Sequence, residues 1–169
     1  MITIKKNEEV IKMLTFLNEI GIDYIEKKLE TTTFLPGLAL GKNCIYIDFD
    51  QLLYPGDILH EAGHLAVTTP EIRNQIETEQ MPENWPTDGE EIAALLWSFA
   101  VATHLNLALE IVFHPYGYKN QSEWLIENFT NKNYIGLPLL EWMELTLSNE
   151  KATLQNKEAF PKMQKWLRD

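Results

Sequence analysis

The sequence predicts an α+β fold: one compact, mostly helical domain with a small β-hairpin ahead of its central helix. Three observations predict it. The length, 169 residues with 45% apolar and 23% charged side chains, is that of a single globular domain spanning 1–169. Apolar residues recur at helical spacing over residues 7–20, and a long apolar-rich stretch opens at Asp88. Between these lie two β-rich runs, 31–37 and 44–49, separated by Gly41, Lys42 and Asn43.

Each element follows from local chemistry. Val10, Ile11, Leu14, Leu17 and Ile20 mark one face of a first helix, which Gly21 stops. Residues 22–30 read as a second short helix. The two β-rich runs form a hairpin, with Pro36 and Gly37 bending the first strand. Tyr54, Pro55, Gly56 and Asp57 make a turn, and Gly56 or Asp57 caps a helix from 58 to 67 that ends at Pro70. Residues 71–89 are a long polar connection. Asp88 and Gly89 then open a strong helix to about 113. Ser98, Thr103, His104, Asn106 and Glu110 within it favour a buried core helix over a membrane span. Residues 114–118 form a loop, 121–129 and 138–148 are further helices, and a short helix closes the chain near 162–167.

Charge narrows the function classes. The net charge is −11, and it lies entirely in residues 44–115, which carry twelve acidic side chains and one basic one, Arg73. Such a chain repels a phosphate backbone, so nucleic acid is not an expected partner, and neither is a membrane. An acidic cleft would attract a metal cation or a basic substrate. A single cysteine, Cys44, excludes an internal disulfide and reads as a strand packing residue. The opening residues MITIKKNEEV contain no apolar leader, so the expected location is the cytoplasm.

The chemistry is concentrated in His60-Glu61-Ala62-Gly63-His64. Histidines at i and i+4 project from one helix face, so both imidazoles reach one metal ion. The glutamate between them stands beside that ion as a general base. Uncharged flanks, Ile58-Leu59 and Leu65-Ala66, make this a buried helix, where two histidines and a glutamate are costly unless something pairs with them. Zinc takes a third protein ligand and keeps one open position. The candidates are Glu90, Glu91, His104 and His114. A helix bringing that ligand must approach closely, and Glu91 shares its face with the small residues Ala94, Ser98 and Ala102. Glu90 shares its face with Ala93 and Trp97. Glu91 is therefore favoured over Glu90.

A HEAGH helix followed by a glutamate on a second helix resembles the zincin metallopeptidases in their gluzincin-like arrangement. The glutamate followed by small residues at +3 and +7 is also similar to the ImmA/IrrE type of compact bacterial metallopeptidase, although Leu95 stands where that type carries asparagine. The metzincin extension is absent, since Val67 and Pro70 occupy its glycine and third-histidine positions. The resemblance implies one zinc per chain on His60, His64 and Glu91, and hydrolysis of a peptide or protein substrate with Glu61 as base. It also implies an oxyanion donor, for which His114 and Tyr116, with Tyr118 in the same loop, are the candidates. It further implies a substrate-pairing edge strand ahead of the HEAGH helix, for which residues 45–48 are the candidate, while Asp48 or Asp50 could instead orient a metal histidine. The competing expectations are a zinc-binding regulatory or protein-interaction module with little proteolysis, and a hydrolase of small amides.

Overall fold

A computed structural model describes residues 6–169; residues 1–5, part of the opening segment read above as lacking an apolar leader, lie outside the described residues. The first helix, α1 (Glu8–Ile20), buries Val10, Met13, Leu14, Phe16 and Leu17. Asn7 caps it by accepting from the Val10 N–H, and Gly21 ends it in the left-handed conformation at φ 90°.

The chain then departs from the expected second helix. Asp23–Glu26 is a strand, β1, followed by β2 (Leu38–Gly41) and β3 (Cys44–Ile47). The sheet order is β1-β3-β2. β2 and β3 form the expected antiparallel hairpin, while β1 joins β3 in parallel, Tyr24 opposite Ile45. β1 has only four residues, and its hydrogen-bonding partner lies some twenty residues further on, so no local pattern announces it. The first hairpin strand starts at Leu38 rather than Thr31, because Gly37 turns there at φ 82° with its Cα against the Leu52 backbone. The pairing also corrects the expected edge strand. Residues 45–47 fall on β3, the middle strand, whose two backbone edges are taken by β1 and β2, and Asp48 lies just past its end.

The central helix α2 (Asp57–Ala66) follows, then the short α3 (Pro70–Arg73) and the polar connection to α4 (Asp88–His104). α2 begins where Gly56 passes so close to α5 (Leu109–Val112) that a Cβ would lie 1.8 Å from the Ile111 carbonyl oxygen. The long helix stops at His104 instead of 113: Asn106 adopts φ 54°, Leu107 N–H returns to the Ala102 carbonyl, and α5 restarts in a new direction to bury Val112 and Phe113. After a 3-10 turn (Tyr118–Asn120) come α6 (Ser122–Thr130), α7 (Leu137–Trp142) and the unanticipated α8 (Asn149–Gln155). The expected closing helix is irregular chain; Met163 bridges to Thr146, and Arg168 N–H donates to the Ala66 carbonyl.

The architecture is α+β: α2 lies between the sheet on one side and α4 on the other, with α2 almost entirely buried and α4 buried along its middle from Ala93 to Ala102. Among the described residues no helix is long and apolar enough to cross a membrane.

Candidate metal centre

The two helices that pack most closely carry the titratable cluster. At their crossing Gly63 faces α4, where a Cβ would lie 3.0 Å from the Ala94 carbonyl oxygen and 3.2 Å from the Ala94 Cβ. One turn further, the buried Ser98 hydroxyl sits 3.3 Å from the Leu59 carbonyl oxygen. Small residues on both sides thus let the helix axes approach, and the first turn of α4 reaches the histidine face of α2.

That turn places Glu91 on both imidazoles. Glu91 Oε2 lies 2.6 Å from His64 Nε2, and Oε1 lies 3.3 Å from His60 Nε2. The rings meet edge to face with centroids 4.5 Å apart. Glu61 approaches from the other side, its Oε1 3.6 Å from His64 Nδ1. His60, Glu61 and His64 each offer a ligand atom within 4.8 Å of the others. Glu61 meets only the far nitrogen of one ring, whereas Glu91 alone faces both Nε2 atoms. Glu90, one residue earlier, is turned away: its carboxylate accepts from Thr87 N–H at 2.8 Å and closes a capping box with the Thr87 hydroxyl.

The electrostatics of the cluster are those of a tightly linked ion network. Burial opposes ionisation of Glu91, but hydrogen bonds and charges from His60 and His64 override it and hold the carboxyl far below its usual range. Burial likewise opposes charge on His64, yet Glu61 and Glu91 push its pKa up to about 9. Two imidazole nitrogens and one carboxylate, converging from rigid buried helices, form a donor set of the kind that zinc takes, with Glu61 left beside it and off the Nε2 convergence. His60 Nδ1 is buried without a hydrogen-bond partner, so the only polar contact of that imidazole is on its Nε2 side. The residues present therefore fit the ion.

The remaining candidates fall in different places. His114 is buried and its Nε2 lies 2.7 Å from Asp57 Oδ1; its ring stacks on Tyr54 at 4.1 Å, and its Nδ1 is buried without a partner. Burial raises the Asp57 pKa, partly offset by the His114 contact. Tyr116 is 78% exposed and stacks on the outer face of Tyr54. Tyr118 is the member of that loop that meets the cluster, with its ring edge-on to His60 at 5.6 Å, while its hydroxyl donates to the Val112 carbonyl. His104 stacks instead with Phe16 and Trp166. Asp48 accepts from Leu29 N–H and Gln51, in a loop cap away from the histidines. Cys44 is buried on β3, where burial pushes its thiol pKa up. Asp57 was not singled out as a site residue, although it stands one helical turn before His60 and so on the same face.

Two cavities meet at Glu91. One, of about 460 Å³, is lined by His60, Asp57, Tyr54, His114 and Tyr118, with Phe34 and Pro36 at its opening. The other, of about 370 Å³, runs along α4 toward α6. Glu91, Tyr118 and Lys119 belong to both. The acidic side chains between 71 and 90 line neither. No protein-family model, no curated protein and no solved structure matches this chain.

Proposed function

We propose that the chain is a zinc-dependent hydrolase of amide bonds, most simply a small metallopeptidase. The observation that carries this reading is the convergence of His60 Nε2 and His64 Nε2 on the Glu91 carboxylate, with Glu61 beside them on the helix between the two histidines. His60, His64 and Glu91 would hold the metal. Zinc, when bound, supplies Lewis acidity that makes water a nucleophile near neutral pH and polarises the amide carbonyl.

The chain's own residues supply the rest. Glu61, whose side chain is 14% exposed, takes a proton from the attacking water. Water oxygen bonds to the carbonyl carbon, the C–N bond breaks, and the proton passes from Glu61 to the leaving nitrogen, giving a carboxylic acid and an amine. Tyr118 and Trp85 wall the two histidines: Trp85 lies edge-on to His64 and anchors its indole N–H on Thr68, whose hydroxyl donates to the His64 carbonyl. These bonds tie the Trp85 side of the wall to the last turn of α2. His114 and Tyr118 would serve as oxyanion donors only after a rearrangement, since His114 Nδ1 is buried and the Tyr118 hydroxyl is committed to Val112, whereas the exposed Tyr116 lines the same cavity as His60.

The preference for basic substrates expected from the net charge has little local support, because the lining of the two cavities contains two carboxylates, Asp57 and Glu91, and one cation, Lys119. The test is Glu61→Gln, nearly isosteric and outside the Nε2 convergence. Zinc content by elemental analysis should stay at one per chain, while cleavage of a mixed peptide library, read by mass spectrometry, should fall by about 10²–10⁴-fold. Zinc retention with no cleavage by the wild-type chain either, together with equal capture of a partner by both proteins, would establish the interaction module instead.

A further inference from the structure

The cavity beyond Glu91 is a built apolar pocket. Leu125 and Phe129 are buried in its wall, while Ile92, Trp124 and Ile135 stand 37%, 49% and 38% exposed around it. These three are among the few large apolar side chains that the fold leaves open, and they converge on one space. Glu91 itself lines this pocket beside Ile92, so a group seated there lies next to one of the candidate metal ligands.

At the junction of the two cavities sits Lys119. It forms no ion pair with any described residue. Its backbone is held in an unfavourable conformation: Tyr118, Lys119 and Asn120 run consecutively at φ 56°, 51° and 64°. Each such non-glycine residue costs about 1 kcal/mol. The surroundings impose it through the Tyr118 hydroxyl on Val112 and the backbone bonds from Asn120 to Gly117 and from Gln121 to Tyr118. The turn held in this way puts Lys119 in the lining of both cavities, its side chain exposed and without an ion-pair partner among the described residues, beside the cluster that would cut an amide.

We propose that the pocket seats the apolar side chain of a residue that also bears a free carboxylate, and that Lys119 pairs with that carboxylate. The substrate class is then an apolar amino acid joined through its amide nitrogen to an acyl group, as at the carboxyl terminus of a peptide or in a small N-acyl amino acid. This rests on the hydrolase reading for its chemistry but not for its binding. A pocket of about 370 Å³ accommodates a phenylalanine or leucine side chain with room to spare.

The experiment measures binding without turnover, by Trp fluorescence on the Glu61→Gln chain. The probes are N-acetyl-phenylalanine, its carboxamide, N-acetyl-alanine and N-acetyl-trialanyl-phenylalanine. N-acetyl-phenylalanine should bind about 10–100-fold more tightly than N-acetyl-alanine. It should bind about five- to tenfold more tightly than the carboxamide, a gap that Lys119→Met should erase. Ile135→Glu should weaken every phenylalanine ligand. Tighter binding of the tetrapeptide identifies a peptide terminus, and equal binding a small acylated amino acid. Equal binding of the acid and the carboxamide overturns the role of Lys119; equal binding of the phenylalanine and alanine ligands overturns the pocket. A chain that takes up no zinc and cleaves nothing, yet discriminates these ligands as stated, refutes the hydrolase reading and leaves the pocket assignment standing.

Discussion

Glu90 and Glu91 are neighbours in the chain, but successive helical residues point about 100° apart, and the two carboxylates have different partners. Glu90 closes the capping box of α4; Glu91 meets both imidazoles. Glu90→Gln keeps a side chain that can accept from Thr87 N–H, so zinc affinity measured by competition with a chromophoric chelator should stay near wild type. Glu91→Gln should lower it by about a hundredfold or more; the opposite ranking would move the metal site to the cap. The reasoning that separates the two residues is visible in the sequence, because the stripe Ala94, Ser98 and Ala102 shares a face with Glu91, and in the fold Ala94 and Ser98 of that stripe meet Gly63 and Leu59. The partner of His114 is not visible in this way. Its imidazole is claimed by Asp57, 57 residues earlier, and a pairing that depends on the folded chain leaves no local spacing to read.

At the scale of elements, the same limit separates what periodicity reveals from what it hides. α1, α2 and the start of α4 have amphipathic or capping signals within a few residues, and the sequence marks them within a residue or so. β1 exists because β3 supplies its hydrogen bonds, and the two apolar residues of α8 are the buried Ala152 and the exposed Leu154, so neither element carries an apolar stripe. α8 is held instead by Glu141 of α7, which accepts from Ser148 N–H at 2.7 Å and pairs with Lys151 at 2.9 Å. The Lys151 hydrogen bond, then the Ser148 amide, lower the Glu141 pKa from 4.5 to about 2. A carboxyl depressed in the folded state contributes stability above its unfolded pKa and loses it as pH falls through the folded one. The stability that Glu141 adds over Glu141→Gln should therefore be full above pH 5 and shrink toward zero between pH 4.5 and about 2. Urea midpoints of the two proteins across that range check this, and a gap independent of pH would mean that the carboxylate charge is not what ties α8 down.

Across the whole molecule, the segment around Trp166 draws the distant parts together. Trp166 packs against Phe16 of α1 at 4.9 Å, against Trp97 of α4 at 6.0 Å and against His104 at 5.2 Å, and its carbonyl accepts from the Trp97 indole. Two residues on, Arg168 N–H donates to the Ala66 carbonyl, its guanidinium to the Val67 carbonyl, and its own carbonyl accepts from the buried Arg73. Trp166→Ala should cost about 2–3 kcal/mol in chemical denaturation, below the range for a fully buried tryptophan because Trp166 is only half-buried. It should also loosen α2 and α4 together, with hydrogen exchange of both helices accelerating in parallel; acceleration of α4 alone would refute the joint anchoring. The Arg168 contacts to Ala66 and Val67 span about a hundred positions of sequence. During translation, at about 5–20 residues per second, the histidine helix emerges many seconds before the residue that caps its last carbonyls. Through that interval its apolar faces and two imidazoles have no finished housing, so a nascent chain must be shielded, or stay loosely collapsed, until residue 168 clears the ribosome.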